Sequence, residues 1–136
     1  MRLLIYINKK PALEQVFCYM ITMNQKKILR LILGDQLNIN HSWFNESAPK
    51  NIKIIYVLME VRSETDYVKH HIQKIVGIFH AMRSFQETLL NKGFNTLYLK
   101  ISDPNNKQSL KDNIFELVKK LDISEFQYQL PDEYRV

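Results

Sequence analysis

Short β-rich runs alternate with longer amphipathic stretches from Lys27 onward, and no other feature restricts the fold as strongly. Ile28 to Leu33 is a largely apolar run stopped by Gly34, and Ile52 to Val61 repeats the signal with Ile54, Ile55, Tyr56, Val57 and Leu58. Such runs suit strands buried on both faces, as in a parallel sheet. Phe94 to Ile101 is a third run, and Ile123 to Leu130 a fourth, ended by Pro131. Tyr67, His71, Ile75, Ile78, Met82, Phe85 and Leu89 step by three or four residues, so they form one face of a long helix. Ser63 and Asp66 read as a capping box at its start, and Gly93 as its stop. Leu110, Ile114, Leu117, Val118 and Leu121 make a second helix capped by Ser109. Strand, strand, helix, strand, helix, strand predicts an α/β fold, a parallel sheet of about four strands with helices against its faces. The first crossover, Asn38 to Pro49, is barely the dozen residues a parallel link needs, with room for one short turn at His41 to Asn45.

A chain of 136 residues, 46% hydrophobic, fits one domain with a real core. Its single cysteine, Cys18, excludes an internal disulfide framework, and a reducing, cytoplasmic setting is the default. The net charge of +5 would suit a polyanionic partner, but the lysines are scattered and read as a basic solvated surface. No run approaches the roughly 20 apolar residues of a membrane-spanning helix. Residues 1–24 carry no recognisable element or signal-peptide pattern. They are expected to be a leader outside the fold, with Met20 and Met23 as alternative starts, leaving 25–136 as the domain.

Open parallel sheets bind ligands beyond the C-terminal ends of their strands. That rule selects Gly34, Asp35 and Gln36 after the first strand, Met59, Glu60, Val61 and Arg62 after the second, and Pro131, Asp132 and Glu133 after the fourth. Glu60 and Glu64 would face the same crevice. There is no GxGxxG, phosphate loop or nucleophile elbow. His70 and His71, being adjacent, would point about 100° apart on a helix and do not make a metal pair. His71 falls on the apolar face and is expected to be partly buried. Glu64 and Asp66 suit helix capping better than acid–base work. Trp43 and Phe44 either cover the crevice, dock onto another domain or pack over the sheet edge.

These segments resemble a known family. Leu31-Ile32-Leu33-Gly34-Asp35-Gln36-Leu37 resembles the opening strand and turn of the photolyase-related proteins of the iron–sulfur bacterial branch of the photolyase/cryptochrome family. Met59-Glu60-Val61-Arg62-Ser63-Glu64-Thr65-Asp66-Tyr67-Val68-Lys69-His70-His71 resembles the end of its second strand and the following helix start. Lys74 to Arg83 and Pro131 to Arg135 continue the match, which covers 27–136. The resemblance implies a Rossmann-like N-terminal domain that binds an antenna chromophore, 6,7-dimethyl-8-ribityllumazine. It also implies a large helical domain holding FAD, a 4Fe-4S cluster and the pocket for DNA photoproducts, including (6-4) lesions. Gly34, Asp35, Gln36, Met59, Glu60 and Glu64 are expected to line the lumazine site, with Ile78 as an apolar helix contact.

The sequence ends at Val136, before any FAD, cluster or lesion residues of that family. The expectation is therefore a truncated, non-catalytic domain whose fourth strand is an edge and whose partner is the missing helical domain, in the same or a separate chain. DNA contact would come through that domain. The competing readings are a stand-alone Rossmann-like small-molecule binder and a nonfunctional remnant.

Overall fold

A computed structural model describes residues 25–45, 49–66 and 71–130. Four strands form one parallel sheet: β1 (Lys26–Leu31), β2 (Ile52–Met59), β3 (Thr96–Leu99) and β4 (Glu125–Tyr128), in the order β3-β2-β1-β4. Helices α1 (Ser42–Asn45), α2 (Ile72–Asn91) and α3 (Leu110–Leu121) supply the crossovers. The architecture is the α/β, Rossmann-like sheet that the alternation of runs predicts. Strand order steps from β1 to β2 to β3, then returns to β4 on the other side of β1. That reversal is a topological switch point at the C-terminal ends of β1 and β4, where open parallel sheets bind ligands.

Successive strand residues point to opposite faces, and both faces are covered. Leu29, Leu31, Leu33, Val57, Met59 and Val61 pack with Leu117 of α3 and the apolar stripe around it. On the other face, Ile32, Tyr56 and Leu58 pack with Met82, Phe85 and Leu89 of α2. Phe44 of α1 joins this second cluster, with its ring centroid 5.1 Å from Tyr56, 5.8 Å from Phe85 and 5.5 Å from Phe94. Trp43 and Phe44 thus pack over the sheet, and the short crossover contributes to the core.

A buried arginine holds that crossover down. Arg30, in mid-β1, is only 8% exposed. Its Nε donates to Gln127 Oε1 at 2.8 Å, and Nη1 donates to the Trp43 carbonyl and the Tyr56 hydroxyl at 3.3 Å each. The guanidinium carbon lies 4.9 Å from the centre of the Trp43 ring. Tyr56 then donates its own hydroxyl to the Trp43 carbonyl at 2.7 Å, so one cation ties β1, β2, β4 and α1 together.

Helix α2 starts later than the capping-box reading expects. Ser63 and Glu64 lie in a 3-10 turn, Arg62–Glu64, and helix α2 begins only at Ile72. His71 is its N-cap, accepting from the Gln73 N–H through Nδ1 at 3.3 Å. His71 is therefore exposed rather than partly buried, because it precedes the helix instead of sitting on its apolar face. Tyr67, His70 and the Pro131–Glu133 segment lie outside the described residues. The C-terminal stop is a Schellman motif: Gly93, at φ 84°, donates to Leu90 and Phe94 donates to Leu89. Helix α3 has the expected Ser109 cap, with Lys119 and Lys120 in its last turn where they complement the dipole.

The β3–α3 loop is held by side-chain amides. Asn106 donates to the carbonyls of Glu60 and Lys100 and accepts from Gln108 N–H and Asn113 Nδ2. Gln108 takes a left-handed backbone, φ 61°, and among the described residues its buried Oε1 has no hydrogen-bond partner. Replacing Gln108 by glycine removes both the strained backbone and the orphan acceptor, against the loss of one hydrogen bond to Ile101 at 2.8 Å. Gln108→Gly is expected to raise stability by about 1 kcal/mol in urea unfolding. A loss of stability would mean that the Ile101 bond outweighs the strain.

Candidate functional site at the C-terminal ends of the strands

The candidate site beside this switch point is built from the segments that leave β1 and β2. Beyond β1 the chain keeps contact with β2 through Ile32 N–H to the Val57 carbonyl at 3.0 Å, then turns as Gln36 N–H donates to the Leu33 carbonyl at 3.1 Å. Gly34 stands in that turn directly beneath α2. A Cβ there would lie 2.8 Å from Ile78 Cγ2 and 3.3 Å from Met82 Sδ, so glycine lets helix and turn approach this closely. Asp35 is exposed beside it. Gln36 accepts from Leu33 N–H at 3.3 Å and donates to the Gln129 carbonyl at 3.4 Å, bridging the β1–β4 switch point.

The residues after β2 divide between the two faces of the sheet. Met59 is buried toward α3, with Asn113 Nδ2 3.7 Å from its sulfur. Glu60 points the other way, under α2, with no exposed surface. Its Oε1 accepts from Arg83 Nε at 2.6 Å and the Tyr98 hydroxyl at 2.7 Å. Its Oε2 accepts from Arg83 Nη2 at 2.9 Å and Ile101 N–H at 3.0 Å. All of the carboxylate's in-plane acceptor positions are thereby filled from within the protein.

Burial by itself pushes the Glu60 carboxyl upward, but bonds from Arg83, Ile101 and Tyr98, together with the Arg83 charge, more than offset it and hold it below its ordinary value. The Tyr98 hydroxyl is raised, first by burial and then by its bond to the Glu60 carboxylate. The bidentate bond to Glu60 raises Arg83 further above its already high value. The Arg83 side chain is 46% exposed, so solvent screens the Coulombic part and the hydrogen bonds carry most of the stabilisation.

Of the residues the sequence singles out, Gly34 and Ile78 are in direct contact, Asp35 and Gln36 border them, and Met59 and Glu60 face opposite ways. Glu64 ends the 3-10 turn after β2. Ile78 is 36% exposed; Val76 and Ile72 are also exposed but point to other sides of α2. Sequence reasoning gives no role to Arg83, Tyr98, Asn106 or Asn113. A polar residue on the flank of a helical stripe or within a short strand looks like solvated surface until its partner is known. Among the described residues, no group of three or more His, Cys, Asp or Glu could hold a metal ion, and no helix is long and apolar enough to cross a membrane. A cavity of about 450 Å³ lies at the opposite end of the sheet, between Gln25, Lys53, Phe94 and Asn95, away from the crevice.

Glu60→Gln keeps the shape of the side chain but removes its charge and sets an amide NH₂ against a donor. It is expected to cost about 2–4 kcal/mol in urea unfolding at pH 7. The folded-state carboxyl lies below its ordinary 4.5, so its contribution is fully present above that value and is lost as pH falls through the folded-state value. The cost of Glu60→Gln should therefore shrink between pH 7 and pH 3. An equal cost at both would remove the linkage argument.

The family model for deoxyribodipyrimidine photo-lyase-related protein matches residues 30–136. A curated (6-4) photolyase from Agrobacterium fabrum is 38% identical over 108 residues, covering 79% of this chain. The chain spans about a fifth (21%) of that relative's length. Both matches take in the β1 turn, the β2 exit and the α2 contact that build the crevice, and the chain belongs to the deoxyribodipyrimidine photo-lyase-related protein family.

Proposed function

We propose that this chain is the N-terminal α/β domain of a photolyase-like protein and that its crevice binds an antenna chromophore of the ribityllumazine type. The observation that carries the reading is the junction of the Gly34 turn with Ile78 of α2 at the C-terminal ends of the strands. The residues suit a flat heteroaromatic ring. Ile78 offers a partly exposed apolar contact, while Asp35 offers a carboxylate that can accept from a ring N–H or a ribityl hydroxyl.

When bound, a lumazine absorbs light and passes the excitation to a flavin. The chain's own residues would bind and orient it. Glu60, saturated by Arg83, Tyr98 and Ile101, would act by fixing the end of β2 and the start of the β3–α3 loop. Glu64, in the turn that follows, is the carboxylate proposed to reach the ligand. FAD, the 4Fe-4S cluster and light-dependent repair of DNA photoproducts are proposed for a helical domain, in the same or a separate chain. Similarity to a (6-4) photolyase supports this reading.

A fluorescence titration with 6,7-dimethyl-8-ribityllumazine, with FAD for comparison, tests the assignment. Saturable lumazine binding that weakens at least tenfold in Glu64→Ala is expected, with unchanged circular dichroism. No lumazine binding by a chain shown to be folded would overturn the antenna reading. FAD binding alone would favour a free-standing small-molecule binder, for which the cavity near Phe94 is the site to examine.

The chain's net charge of +5 is spread along the sequence, so its own contact with duplex DNA should be weak and should fall steeply with salt. A filter-binding salt series checks this. Discrimination of a lesion-bearing duplex at physiological salt would place lesion recognition in this domain.

A further inference from the structure

Gln108 departs from ordinary structure in two ways. Its backbone is left-handed, at φ 61°, although it carries a long side chain. Its Oε1 is buried and, among the described residues, accepts no hydrogen bond. Both features cost stability, and such a conformation persists only where its surroundings hold it in place. Those surroundings are a closed ring of hydrogen bonds that begins and ends at Glu60. Ile101 N–H donates to the Glu60 carboxylate at 3.0 Å, and Gln108 Nε2 donates to the Ile101 carbonyl at 2.8 Å. Gln108 N–H donates to Asn106 Oδ1 at 2.8 Å, and Asn106 Nδ2 returns to the Glu60 carbonyl at 2.7 Å.

The Gln108 carbonyl lies outside this ring. It accepts from Ser63 N–H at 3.3 Å, in the middle of the 3-10 turn Arg62–Glu64. Within the turn, Thr65 and Asp66 N–H both donate to the Arg62 carbonyl, which closes it without fixing it to its neighbours. Among the described residues, the Ser63 bond is the main-chain link between this turn and the β3–α3 loop.

We infer that Gln108 is a positioning residue for the chromophore site: its left-handed backbone turns the carbonyl toward Ser63 and so fixes the turn that carries Glu64. This rests on the reading of Glu64 as the carboxylate that meets the ligand. The side-chain amide holds Gln108 against Ile101, itself anchored on Glu60, so the buried carboxylate places the later one through Gln108. A turn held before binding spares the ligand the entropy of ordering it. Glycine would adopt the same φ with less strain, but without the Ile101 bond its carbonyl would be free to swing away from Ser63. The strain serves binding at the expense of stability.

Gln108→Gly in the full chain separates the two roles, because it is expected to fold more stably and yet to bind less well. Lumazine affinity, read by fluorescence titration, should fall about fivefold. Exchange of the Ser63 amide should quicken about tenfold, although the chain resists urea better. In a Glu64→Ala background the same substitution should leave the affinity unchanged, since both act through one contact. An equal loss in both backgrounds would overturn the proposal, as would an unchanged affinity or an unchanged Ser63 amide. Those outcomes leave the antenna reading standing wherever Glu64→Ala alone weakens binding. No lumazine binding by the folded wild-type chain would remove the antenna reading and the positioning role together.

Discussion

A carboxylate with no exposed surface sits at the end of β2, and much of the upper part of the domain is arranged to satisfy it. An unpaired buried charge would cost several kcal/mol, so a Glu60 that points under α2 requires a cation and further donors at fixed positions. Arg83 comes from α2, Tyr98 from β3, and the Ile101 N–H from the loop that follows. The Glu60 carbonyl is taken by Asn106, which in turn receives Asn113 from α3. One residue therefore couples both helical layers to the ends of the central strands, where the crevice lies.

Arg30 performs a comparable task nearer the middle of the sheet. Its hydrogen bonds to Gln127, Tyr56 and Trp43 draw β4, β2 and the short first crossover onto β1. These two polar anchors lie on the α2 face, between apolar clusters that would otherwise fix only depth and not register. Close packing sets how far the layers approach, while directional bonds set which groups meet.

The crevice itself depends on close approach rather than on a reactive group. Gly34 admits Ile78 and Met82 to the β1 turn, and Gln36 bridges to β4 across the switch point. The proposed binding of a planar molecule rests on that contact and on the polar Asp35 and Gln36 beside it.

The sequence alone determined the order of the elements, because hydrophobic periodicity records which faces are buried whatever they are buried against. Gly93 and Ser109 were legible as helix ends since capping is local. The start of α2 is not legible for a related reason: Ser63 and Asp66 have capping chemistry, yet the chain makes a 3-10 turn there and His71 caps the helix. Tertiary structure alone decided that Glu60 is enclosed by Arg83 and Tyr98 with Asn106 on its carbonyl, that Met59 faces the other way, and that Arg30 anchors the middle of the sheet. Those roles arise between residues distant in sequence, Glu60 and Tyr98 being 38 apart and Arg30 and Gln127 being 97 apart. A buried charge is tolerable only where such partners converge, and that convergence is a property of the folded chain, with no local pattern to announce it.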